Sequence, residues 1–296
     1  MPDSIFFSFS FADSINQFVT WLVQAYGDGF HQVTGVLLSN LLVPLEKFLL
    51  SIPPLLMLLA VGALCYHGTR RKGITVLMVT GLYLIGCLGL WDKLMQTMAL
   101  MIVATLLTIA IGVPLGIMMS RSKALRWVLV PVLDIMQTLP TFVYLIPVLM
   151  LFGLGKVPAI FATVIYALPP LVRLTDLGIR QVDGDLLEAA RSFGTTSWQL
   201  LLGVQLPLAR PSIMAGVNQS IMMALAMVVI ASMIGSRGLG EDVLAGINNM
   251  DMGKGMQSGL AIVILAIVID RISQAYGQDG RLKKALRRKK LSGAKA

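Results

Sequence analysis

Three groups of side chains could do chemistry in a chain that is 56% hydrophobic and only 13% charged. The first lies between two strongly apolar runs, in the stretch DLLEAARSFGTTSWQLLLGVQLP from Asp185 to Pro207, where Asp185, Glu188 and Arg191 are the only charges. So few charges, together with the small residues Ala189, Ala190 and Gly194, read as an ordered excursion into water with a small-residue face rather than as a membrane span. The second group is set within apolar runs: Gln137, Thr138, Thr141, Phe142 and Tyr144 in one, Tyr166 in the next, and Asn218, Gln219, Ser220 and Met222 in a third. Polar groups are costly against lipid and turn toward protein or a water-filled path, so these residues either line a passage or join helices. The third group, Asp134, Arg173 and Asp176, can form ion pairs that stabilise a bundle or gate one of its mouths.

No catalytic residue is expected, because the apolar runs hold no paired His/Asp/Glu constellation and no nucleophile motif. No metal site is expected either. Cys65 and Cys87 lie in apolar runs without ligand spacing and read as small hydrophobes, and His31 and His67 stand far apart. Nucleotide binding by this chain is not expected, since the G-x-x-x-x-G-K-[ST] pattern does not occur and Gly153-Leu154-Gly155-Lys156 lacks its spacing.

The elements that must position these groups follow from local rules. Asp183 or Asp185 can cap a short helix whose first turns hold Leu186, Leu187, Glu188, Ala189 and Ala190. Gly194 stops it, because glycine tolerates the left-handed backbone at a helix C-terminus, and Thr195, Thr196 or Ser197 can cap a second helix through Leu202. The stretch is a helix-turn-helix excursion into water.

Around it, a mean hydropathy of +0.80 is that of a polytopic membrane protein, all-α in class. The first thirty residues contain no Lys or Arg, so no cleavable leader is expected. Residues 11–26 place Phe11, Ile15, Phe18, Leu22 and Tyr26 at helical spacing, an amphipathic helix lying on a surface. Residues 34–50, with Pro44, Glu46 and Lys47, read as a second interfacial segment rather than a span. Seven spans are expected near 52–67, 73–91, 94–119, 127–152, 157–176, 207–235 and 257–276. Prolines supply weak points at which rigid halves can rock: Pro140 and Pro147 in the fourth, Pro169 and Pro170 in the fifth, Pro207 and Pro211 at the start of the sixth.

Loop charges orient the bundle, because Lys and Arg gather on the cytoplasmic side. Alternating back from an inner C-terminus puts nineteen cations inside and five outside, the five being Lys47, Lys93, Lys156, Arg237 and Lys254. The N-terminus is then outside and the elbow inside. The net charge of +9 is explained by this asymmetry, and the tail RLKKALRRKK is a basic anchor attracted to anionic lipid. No basic-aromatic face accompanies it, so no nucleic-acid partner is expected.

Glu188-Ala189-Ala190, three residues, Gly194, nine residues and Val204-x-Leu206-Pro207 resemble the EAA loop of bacterial ABC importer permeases, with valine where isoleucine is usual. The runs DIMQTLPTFVYLIPVLMLFG, ALPPLVRLT and IMAGVNQSIMMALAMVVIASMIG extend the resemblance to the glycine betaine/proline betaine permease family, over roughly residues 40–275. The resemblance implies a five-helix type I importer core at 94–276, with two peripheral spans at 51–93, an interfacial segment at 1–50 and a tail at 277–296. It implies coupling helices at 185–203, with Asp185, Glu188, Ala189, Ala190, Arg191 and Gly194 docking on a cytoplasmic ATPase present in two copies. ATP and Mg would be bound by that partner. A second copy of the chain, an extracytoplasmic solute-binding protein and membrane lipid complete the implied partners, in the bacterial inner membrane. For a quaternary ammonium cargo the aromatic faces of Phe142, Tyr144 and Tyr166 are a natural attraction. Choline or carnitine import, and an ion-coupled carrier or channel, are the alternatives that hydropathy and charge leave open.

Overall fold

The computed structural model describes residues 12–277, and every regular element in that range is helical. Phe11 and the basic tail from Arg281 to Lys295 lie outside the described residues, as does the side chain of His31. The helices are α1 (Ala12–Leu37), α2 (Val43–Ser51), α3 (Pro54–Thr69), α4 (Lys72–Cys87), α5 (Trp91–Arg121), α6 (Lys123–Thr138) and α7 (Thr141–Phe152). They continue with α8 (Lys156–Arg180), α9 (Gly184–Ser192), α10 (Ser197–Leu200), α11 (Leu206–Ser232), α12 (Leu239–Asn248) and α13 (Met252–Gly277).

The centre of the bundle is α8, which packs along both α5 and α11. Membrane helices gain little from hydrophobic expulsion and depend on close van der Waals approach, which small residues permit. Gly116 of α5 shows how close: a β-carbon there would stand 2.6 Å from the Thr175 side chain of α8. Gly178 of α8 meets Ser212 of α11 in the same way, again at 2.6 Å. The larger apolar core includes Leu94, Met95, Ile160, Leu171 and Met227, and Met119, Leu133 and Val172 form a smaller one near the Gly116 crossing.

Among the described residues five helical stretches are long and apolar enough to cross a bilayer, Gln32–Ser51, Trp91–Arg121, Lys156–Arg180, Ser197–Ser232 and Met252–Gly277, and the expected spans near 52–67 and 73–91 are the shorter apolar helices α3 and α4. The expected span at 127–152 is not a straight rod, since α6 and α7 meet at 102°. Proline is the cause. Pro140 has no N–H to continue the ladder, and the residue before a proline is pushed out of the helical region; Leu139 accordingly has φ −64° and ψ 136°. α6 is tied to α8 by two ion pairs, Arg126 with Asp176 and Asp134 with Arg173.

The two N-terminal segments expected as separate pieces form one continuous helix through a π turn at Leu38–Leu42. A second π turn at Leu201–Gln205 joins α10 to α11, so the helix expected to stop at Leu202 runs on into the span. Both π turns end two residues before a proline, Pro44 and Pro207. A proline ring clashes with the carbonyl four residues back, and the wider π turn relieves the crowding while Val43 and Leu206 donate to the carbonyls of Leu38 and Leu201.

Gln32–Ser51, expected as an interfacial segment, is long and apolar enough to span, and it touches the α7–α8 region at two points. Phe30 stacks edge-on with Phe152, and Glu46 pairs with Lys156, whose attachment points are four residues apart at the α7–α8 turn. The apolar side chains of Ile15, Phe18 and Tyr26 on α1 remain exposed, as a surface-lying amphipathic helix requires.

Candidate functional site: the elbow between α8 and α11

Chain reversal after α8 is built by short-range capping. The Asp183 side chain accepts from the Asp185 N–H at 3.0 Å and starts α9. Gly194 has φ +78°, the left-handed conformation that ends it. Thr196 and Gln199 then form a reciprocal capping box for α10. Asp183 and Thr196 are thus the caps among the candidates, while Asp185 occupies the first turn of α9, where its charge suits the helix dipole.

What α9 lacks is support. None of its nine residues is buried: Asp185, Leu186, Glu188, Ala189 and Arg191 are exposed, and Leu187 and Ala190 are half-covered. Isolated helices shorter than about 12–15 residues are marginal in water, so α9 depends on its caps rather than on packing against the bundle. Phe193, beside Gly194 at the tip, is 89% exposed. Sequence reasoning passed over it, although an aromatic residue in a water-facing turn is itself a signal of contact with a partner.

The base of the elbow is anchored. Leu200 and Leu201 are buried. Arg121, the last residue of α5, donates to the Ser197 carbonyl at 2.7 Å, and its guanidinium carbon lies 5.5 Å from the centroid of the Trp198 ring. On α8, the buried Asp176 accepts two 2.9 Å hydrogen bonds from Arg180 and faces Arg126 of α6 at 3.5 Å. Arg173 pairs with Asp134 rather than with Asp176. Arg121 and Arg126 did not stand out in the sequence, because basic residues at a span end are ordinary.

The polar candidates divide. Gln137, Thr138 and Pro140 are exposed at the α6–α7 bend, Thr141 is half-buried, Phe142 is exposed and Tyr144 is buried. Thr138 donates back to the carbonyl of Asp134 at 3.0 Å. The Tyr144 hydroxyl has no hydrogen-bond partner among the described residues, and Tyr166 is half-buried on α8, against which α7 packs. Pro147 lies inside α7, which continues through it. Asn218 joins helices: its amide donates to Asp270 of α13 at 3.0 Å and its carbonyl accepts from Ser273. Met222, one turn on, is exposed. Among the described residues no cluster of three His, Cys, Asp or Glu could hold a metal.

The described residues thus form an all-helical bundle with candidate membrane spans, in which the central helices α8 and α11 are joined by an exposed, capped elbow, an architecture suited to a multi-pass permease. The chain belongs to the family described as binding-protein-dependent transport system inner membrane component, which matches residues 109–277. It is similar to the glycine betaine/proline betaine transport system permease protein ProW of Escherichia coli (strain K12), 46% identical over 90% of this chain and 75% of that protein. It is similar also to the glycine betaine transport system permease protein OpuAB of Bacillus subtilis (strain 168), 44% identical over 89% and 93%. A third relative, the glycine betaine/carnitine transport permease protein GbuB of Listeria monocytogenes serotype 1/2a (strain 10403S), is 45% identical over 91% and 96%. The fold is shared with a chain of the MetNI methionine ABC transporter solved in inward facing conformations, with TM-score 0.53 and 19% identity over 73% of this chain and 98% of that one. The protein is therefore a multi-pass permease subunit of the inner membrane.

Proposed function

We propose that this chain is the membrane subunit of an ATP-driven importer for glycine betaine, proline betaine or a related quaternary ammonium solute. The reading is carried by relatives of that description at 44–46% identity over about nine-tenths of the chain. The elbow faces the cytoplasm and α9 docks on an ATPase subunit through Asp185, Glu188, Ala189, Ala190, Arg191 and Gly194. Two ATPase copies, holding ATP and Mg, act on two copies of this chain, and a separate extracytoplasmic protein delivers the solute. The C-terminus is cytoplasmic and the N-terminus outside, as the distribution of cations supports.

ATPase closure biases the permease because it contacts the elbow differently in the two states; without such a difference no equilibrium would shift. The movement passes from α9 through the Arg121–Trp198 contact to α5 and through the continuous α10–α11 helix into the bundle. Pro140, Pro147 and Pro207 are the points at which helices yield. Solute passes with low affinity along Gln137, Thr138, Thr141, Phe142, Tyr144, Tyr166, Asn218 and Met222, where aromatic faces attract the cation without hydrogen bonds. Carnitine is a second cargo to test, since the Listeria relative carries it in its description.

Reconstitution tests the reading. Labelled glycine betaine should enter proteoliposomes only when ATPase subunit, ATP and binding protein are all present. Uptake by the purified chain alone would instead mark an ion-coupled carrier or a channel.

A further inference from the structure

A cationic corner lies apart from the elbow, at the turn between α3 and α4. Arg70, Arg71 and Lys72 are consecutive and exposed there, and Arg70 holds φ 53°, which turns the chain sharply from one helix to the next. Arg271 of α13 comes alongside. Gly81 of α4 faces Ile264 of α13, and seven residues along these antiparallel helices, about 10.5 Å, brings Arg271 level with Ile74 in the first turn of α4. The corner is fixed by Tyr276 of α13, whose hydroxyl is 3.1 Å from His67 Nδ1 and donates to the Leu64 carbonyl at 3.4 Å. None of the four cations has an ion-pair partner among the described residues. The adjacent Asp270 is engaged by Asn218 and Gln274.

The depth of this corner identifies its ligand. α3 and α4 have 16 residues each, about 24 Å, against a hydrocarbon core of about 30 Å. A hairpin that short cannot lift its turn clear into water, and the flanking groups settle among the headgroups instead. Tyr66 and Tyr276, 48% and 39% exposed, stand at the same level, as interfacial tyrosines do. We infer that Arg70, Arg71, Lys72 and Arg271 form a binding site for the phosphate headgroup of an anionic phospholipid, wedged between the α3–α4 hairpin and α13. Guanidiniums hold phosphate by paired N–H donors, and four unpaired cations at headgroup depth attract anionic over zwitterionic lipid. The site requires only that α3, α4 and α13 cross the bilayer, so it stands independently of the cargo.

The test uses the full chain in nanodiscs carrying a trace of headgroup-photoreactive phosphatidylglycerol, with the photoreactive phosphatidylcholine analogue as comparison. Label should concentrate on peptides covering residues 66–73 and 270–277, at least fivefold over the phosphatidylcholine analogue. Joint substitution Arg70→Gln, Arg71→Gln, Lys72→Gln and Arg271→Gln should remove that excess, while Lys123→Gln with Arg210→Gln, cations at other positions on the same end, should leave it. Should the fourfold variant fail to insert, Arg271→Gln alone should lower the label at least twofold, and the headgroup preference of the unmodified chain needs no variant. Equal labelling by the two lipids, or labelling unchanged by the substitutions, would overturn the proposal. Displacement by millimolar inorganic phosphate would mean a site for free anion and would overturn it too.

Discussion

Arg121 reaches across from the last turn of α5 to cover the ring of Trp198 at the foot of α10, while its guanidinium donates to the carbonyl of Ser197. The elbow is thereby fastened to a helix 76 residues earlier in the chain, and under the proposed coupling this contact links α9 to α5 as well as to α11. A cation over an exposed aromatic ring contributes about 0.5–1 kcal/mol. Trp198→Ala should therefore leave the complex assembled but lower solute moved per ATP hydrolysed by roughly two- to fivefold, measured as paired uptake and phosphate release in proteoliposomes.

Reversing charge on α9 should act more strongly. Glu188→Lys leaves the fold intact, since that side chain is exposed and bonds nothing in the bundle. It should cut uptake by tenfold or more while the permease still inserts and purifies. Unchanged uptake would remove Glu188 from the docking surface.

Gly194 is needed for its backbone. Gly194→Ala places a β-carbon at φ +78°, a strain of about 1 kcal/mol, and should reduce coupling several-fold. Nothing lies within 4 Å of the added atom, so a loss much greater for a bulkier substitution than for Ala would point to crowding by the partner instead. The comparison of Ala and Leu at this position reads the difference.

At the α5–α8 crossing the constraint is space. Gly116→Leu collides with Thr175 and the Val172 carbonyl, where even a β-carbon is too close. Overpacking of this kind costs about 1–3 kcal/mol, and a lower midpoint of thermal unfolding in detergent should report it.

Asp176 is a buried structural anchor on α8. Asp176→Asn keeps the shape but leaves Arg126 and Arg180 without their carboxylate. Because both arginines are partly exposed, the cost should be near about 1–3 kcal/mol rather than that of a fully buried pair, again read as a fall in thermal stability.

Much of this architecture was legible in the sequence because its signals are local. The elbow declared itself by Gly194 and by cap candidates acting within a few residues, Asp183 or Asp185 and Thr195, Thr196 or Ser197, of which the fold uses Asp183 and Thr196, and the spans by runs of apolar side chains. The 102° bend was less legible: hydropathy is blind to direction, and Pro140 marks a break or a mild kink equally well. The π turns before Pro44 and Pro207 were hidden for a similar reason, since continuity through a proline depends on backbone widening that composition does not record. Among the candidate site residues, Asn218 shows the limit most clearly. An amide in a span signals a polar neighbour, but only the fold reveals that the neighbours are Asp270 and Ser273.

The claim that matters most is that the elbow meets the motor, and a photo-cross-linking amino acid at Phe193 tests it most directly. In the assembled transporter within inverted membrane vesicles, irradiation should join this chain to its ATPase subunit, with a yield that changes when nucleotide is added. Cross-links formed only with lipid or with the extracytoplasmic binding protein would contradict the account.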